Sequence, residues 1–99
     1  MEFKLNWLAV DGVSITFNAA LNKPAYQISD YVDVKDVRHA ATLANDGARL
    51  TTSRDCAVSE RESDPWWAVD LEEPQVVTRV DITNSAEHGI RVLVSPGRF

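Results

Sequence analysis

Two stretches of alternating side chains set what this chain can fold into. From Trp66 to Leu71, the residues Trp66, Ala68 and Asp70 alternate with Trp67, Val69 and Leu71. From Gln75 to Asn84, the residues Val76, Thr78, Val80 and Ile82 fall at every second position. A period of two is the mark of a strand that lays one face on a core. It puts Trp66 and Trp67 on opposite faces, so at most one of them meets a ligand and the other packs inside. Glu72-Glu73-Pro74 separates the two stretches and reads as a turn.

The remaining chain carries weaker signals of the same kind. Phe3 to Leu8 and Val13 to Phe17 read as short strands around an Asp11-Gly12 hairpin turn. Tyr26 to Val34 is loosely extended. Ala48 to Asp64 lacks sustained periodicity and reads as a long loop with at most one brief strand. Ile90 to Val94 is a last strand, stopped by Pro96-Gly97. One helical signal interrupts. Asp36 can cap, and Val37, Ala40, Ala41 and Ala44 recur at helical spacing before Asn45-Asp46-Gly47 ends the run. This predicts a short helix near 36–45. Many short strands with turn punctuation predict an all-β antiparallel sandwich.

Size and charge narrow the function classes. With 99 residues there is room for one domain. A net charge of -5 disfavours a phosphate backbone as partner, so nucleic acid is not expected. Seven acids lie between Asp55 and Glu73, forming either a solvated loop or an edge that attracts cations. The first residues do not read as a signal peptide, and no apolar run approaches the about 20 residues of a membrane span. The single cysteine, Cys56, has no internal partner. Cys56, His39 and His88 show no spacing that builds a nucleophile and base, so no enzyme is expected. His39 falls on the polar side of the predicted helix and reads as a surface residue.

Four segments together resemble one family. Asn18-Ala19-Ala20-Leu21-Asn22-Lys23-Pro24-Ala25-Tyr26-Gln27 is similar to the opening of eel-agglutinin-type lectins, the fucolectins. Ala44-Asn45-Asp46-Gly47 resembles their "A-x-D-G" turn. Asp64-Pro65-Trp66-Trp67-Ala68-Val69-Asp70-Leu71 resembles their "N-P-W-W-x-V-D-L" signature, and Val77 to Asn84 resembles the strand that follows. Order and spacing agree over residues 17 to 94, and Cys56 stands nine positions before Pro65, as a family cysteine does. The resemblance implies a jelly-roll β-sandwich shared with coagulation-factor discoidin domains. It divides the chain into an N-terminal extension or strand, 1–16, and a partial lectin-like domain, 17–99. It also implies family strands beyond Phe99, without which a sheet edge lies open to self-association.

The family reads fucose with one His and two Arg beside a disulfide, and it holds calcium near those loops. Carried over, the fucose His falls on Val58 and the first Arg on Ser85. Glu87 takes the place of an acid, His88-Gly89 that of the cysteine pair, and Arg91 stands one residue from the second Arg. The resemblance therefore implies an altered sugar site of Arg91, Glu87 and His88, with Arg91 as donor and Glu87 orienting it. It implies calcium ligands at Asp46 and Asp55. Two lost donors at about 1.5–3 kcal/mol each predict that free fucose is not bound. The expected role is an extracellular carbohydrate-binding module acting on glycans or glycoproteins at cell surfaces. The alternative is a structural or protein-interaction domain of the same fold.

Overall fold

A computed structural model describes residues 1–12, 15–48, 55–84 and 90–98. The strands are β1 (Glu2–Asp11), β2 (Thr16–Asn18), β3 (Ala25–Gln27), β4 (Tyr31–Val32), β5 (Arg38–His39), β6 (Ala57–Val58), β7 (Trp66–Asn84) and β8 (Arg91–Arg98). Six of them form one hydrogen-bonded system in the order β2–β1–β7–β3, with β6 also on β1 and β8 also on β7. β4 and β5 make a separate hairpin. The architecture is the expected β-sandwich. β8 runs parallel to β7, whereas the other described pairs are antiparallel.

β7 makes the two layers. Its first part pairs with β3 and β8, and its second part pairs with β1. Glu72-Glu73-Pro74 does not reverse the chain as expected. Glu72 takes a left-handed φ of 72°, its amide donates to Asp70 Oδ1 at 2.8 Å, and the strand bends there and continues. A local irregularity that turns a strand from one sheet into the next closes a sandwich corner. Pro96-Gly97 likewise does not stop β8, which runs to Arg98.

The core lies between the layers. Phe3, Leu5, Leu8 and Val10 of β1 meet Trp67, Val69 and Leu71 of β7. The Phe3 and Trp67 rings pack with centroids 5.0 Å apart at 45°. The Trp67 indole Nε1–H donates to Ala41 O at 2.9 Å, so the ring's only polar atom is satisfied while the ring is fully buried. Two bulges tune which side chains enter this core. The register shifts between Leu5 and Trp7, which sends Leu8 and Val10 inward. It shifts again between Ala9 and Val10, where Val10 pairs with Val77 and Ala9 with Arg79. The second shift breaks the expected face: Val77 is buried, whereas Val76 and Ile82 are 64% and 42% exposed.

The predicted helix near 36–45 is replaced by a hairpin and one 3-10 turn, Ala41–Ala44. Asp33 is the reason. Its Oδ1 accepts the amides of Lys35 and Val37 at 2.8 and 3.0 Å, and its own amide donates to Val37 O at 3.0 Å. A short acidic side chain that binds nearby amides competes with helix and favours a turn. Asp36, expected as the cap, sits inside that turn at φ 61°. β4 then pairs Tyr31 with His39 and Val32 with Arg38. His39 is consequently buried and not a surface residue.

Candidate functional site

The hairpin stands at one end of the sandwich, over the start of β1 and over β6. Gln27 fixes this arrangement, with its Nε2 3.0 Å from His39 O and 3.2 Å from Val58 O. Between these elements lies a cavity of about 330 Å³ lined by Glu2, Tyr31, Asp33, Lys35, His39 and Val58, together with Val34. A second depression of about 490 Å³ continues from it past Ser59, Glu60 and Arg61, sharing Glu2, Tyr31 and Val58. The two form one groove.

The groove has the parts that polar, ring-shaped ligands need. Tyr31 offers a ring that is 41% exposed. His39 lies under it, with ring centroids 5.7 Å apart. His39 Nε2 is 3.3 Å from Asp33 Oδ2, while its buried Nδ1 has no protein partner among the described residues. The Val37 amide, and after it the Lys35 amide and the His39 ring, hold the Asp33 carboxyl below its ordinary range, against an opposing effect of desolvation. Asp33 is therefore a fixed negative acceptor at neutral pH. Glu2 and Lys35 add one group of each sign at the rim.

The sequence-predicted residues divide into three groups. The Asp46 carboxylate and the main-chain oxygen of Asp55 meet at a third residue. Lys4, on β1, sends its ammonium to Asp46 Oδ1 at 2.8 Å, Leu43 O at 2.8 Å and Asp55 O at 2.9 Å. Arg91 is exposed at the head of β8, opposite Trp66, with its amide donating to Pro65 O at 3.1 Å. Ile28 N also donates to Trp66 O, which puts Arg91 at the same end of the sandwich as the groove. Glu87 and His88 lie outside the described residues, as does Ser85. Val58, where the resemblance places the fucose-binding His, lines the groove.

Tyr31, Asp33 and His39 do not stand out in the sequence, where they fall on a loosely extended stretch and on the face of a predicted helix. The spacing of Asp33 two and four positions before Lys35 and Val37 was the available signal for an Asp-capped turn. Cys56 is buried and unpaired, as the sequence implies. Burial first, then the charge of Glu2, pushes its thiol up, which keeps it neutral and unreactive.

A match to the family described as NedA-like, galactose-binding domain, of the factor 5/8 type C group, covers residues 43–96. That is more than half of the chain, and it runs from the 3-10 turn through the Asp46-Gly47 turn, Cys56 and the tryptophan strand into β8. The chain belongs to this family. The discoidin-like part of the sequence resemblance is thereby established. The NedA-like match leaves β1 to β5 outside its span, so Lys4 and the β4–β5 hairpin are features of this chain that the match does not cover. Comparison with curated proteins and with solved structures gives no match.

Proposed function

We propose that this galactose-binding-like domain is an extracellular, non-enzymatic glycan-binding module whose sugar site is the groove between the β4–β5 hairpin and β6. The observation that carries this reading is the exposed Tyr31 ring standing over the Asp33–His39 pair. Sugars bind by laying an apolar face on a ring while charged acceptors take their hydroxyls. Asp33 and Glu2 are acceptors of that kind. Arg91 extends the same end as a donor. Neutral glycans suit the groove better than sialylated or sulfated ones, because the chain carries net negative charge.

The F-type lectin specificity is not retained in this reading. Val58 cannot donate to a hydroxyl, so free fucose gives no saturable binding. Cys56 takes no part, because its neutral thiol is a poor nucleophile. Among the described residues, no helix is long and apolar enough to cross a membrane.

A glycan array of the intact chain, with and without calcium, tests the proposal. Binding to neutral glycans that disappears in Tyr31→Ala supports it. A silent array in both conditions overturns it in favour of a protein-interaction domain. Saturable fucose binding at millimolar concentration overturns the specificity argument alone.

A further inference from the structure

The Lys4 side chain is the least expected polar group in the molecule. It lies on β1 between Phe3 and Leu5, two core residues, and is itself 1% exposed. A lysine buried this deeply is rare unless its charge is paired and its protons are all placed. Here each of the three N–H bonds has an acceptor. Two are main-chain carbonyls, Leu43 O and Asp55 O, and one is the Asp46 carboxylate. The Asp46 oxygen also accepts the Ala48 amide at 2.9 Å, which ties the turn after the 3-10 segment to the same point.

Carbonyls and a carboxylate converging on one point are the donor set of a hard cation. The distances of 2.8–2.9 Å are those of charge-assisted N–H···O bonds and are longer than calcium–oxygen contacts. A calcium ion needs six to eight oxygens, and this point gathers three from described residues. Among the described residues, no three His, Cys, Asp or Glu side chains are placed to share a metal. An added dication would also stand against the ammonium. The described residues do not fit calcium at Asp46 and Asp55.

We propose that the Lys4 ammonium is a covalently tethered cation that holds the place of a metal ion in this domain. It gathers three separate segments, the 3-10 turn, the Asp46-Gly47 turn and the Asp55 loop, onto β1 without recruiting anything from solution. The order of this end of the sandwich therefore does not depend on calcium. Shortening the side chain leaves an oxygen cage with a net negative charge, which a small cation from solution can enter.

Thermal denaturation of the intact chain in chelator and in millimolar calcium, with calorimetric titration of calcium, tests the proposal without reference to any glycan. The wild-type midpoint is expected to be the same in both solutions, and the titration is expected to show no saturable binding. Lys4→Ala is expected to lose on the order of 10 °C in chelator. Calcium or methylammonium chloride should restore part of that loss, with sodium chloride at equal ionic strength restoring less. Saturable calcium binding by the wild type, with a rise in its midpoint, would overturn the proposal. Should Lys4→Ala not fold, amine labelling of the wild type decides: Lys4 is expected to resist a reagent that modifies Lys23 and Lys35, and equal labelling of all three would sink it.

Discussion

The two polar clusters at this end of the sandwich are built from the same kinds of side chain and do opposite things. Around Lys4, each N–H of the ammonium has an acceptor, and the lysine side chain lies almost wholly inside, while its partner Asp46 keeps one edge toward solvent. Around Tyr31, the groups are left open. The ring is exposed, Asp33 faces a cavity, and His39 keeps a buried nitrogen with no protein partner among the described residues. A cluster that satisfies itself contributes to folding. A cluster that leaves directed polar atoms beside a cavity has binding capacity to spare. The contrast separates structure from function here more clearly than residue type does, since each cluster is centred on an aspartate and a nitrogen base.

The comparison can be broken first in the core beside the 3-10 turn. Trp67→Ala empties a fully buried site under the 3-10 turn and is expected to cost about 3–5 kcal/mol in chemical denaturation. An effect below 1 kcal/mol would mean that Trp67 does not fill the core. Next is the Lys4 cluster itself. Asp46→Asn keeps the shape of the turn but removes the counter-charge, and about 1.5 kcal/mol should be lost by the same measurement, since the carboxylate is partly screened by solvent. A neutral result would make that ion pair a bystander.

Smaller stability effects belong to the groove, where function should respond instead. Tyr31→Ala is expected to change stability by no more than about 0.5 kcal/mol while weakening glycan binding about tenfold or more in a binding titration. Comparable losses in both measurements would erase the distinction between the clusters. Asp33 gives a pH signature. Its folded carboxyl titrates below the ordinary value of 3.8, so its ionised form stabilises the hairpin fully above that value. That contribution is lost as pH falls through the lower, folded value. The difference in midpoint between wild type and Asp33→Asn should therefore shrink on acidification below about pH 4. The smallest effect is expected from Arg91→Ala. An exposed strand-head residue should leave stability within about 0.5 kcal/mol, and binding should fall by less than in Tyr31→Ala.

The two halves of β7 show where the sequence could be read and where it could not. Trp67, Val69 and Leu71 alternate and are all buried, because β3 and β8 flank that half and hold its register without interruption. Val76, Thr78, Val80 and Ile82 alternate just as cleanly, yet the side chain buried there is Val77. A bulge against β1 reverses the phase, and Thr78 uses its hydroxyl to donate to Ala9 O at 3.2 Å. A bulge is a property of the pair of strands, so one strand's pattern cannot announce it. The missed hairpin has a local cause instead. The amides that Asp33 captures are only two and four positions away, and helical spacing of alanines obscured a turn signal that was present.

For the sites, the division follows distance along the chain. The sequence by itself determined the all-β class and that one tryptophan of the Trp66–Trp67 pair packs inside, since both rest on side-chain period; Asp46 and Asp55 were linked only by the family resemblance. It could not decide which cation those oxygens would meet. Lys4 lies 39, 42 and 51 positions from its three acceptors, on a strand where a lysine reads as a solvent-facing residue. Only the packing of β1 against the turn and the Asp55 loop withdraws it from water, and once water is gone an ammonium must take whatever oxygens surround it. The groove was decided in the same way, because Glu2, Tyr31, His39 and Val58 come from four strands and acquire a common purpose only where those strands meet.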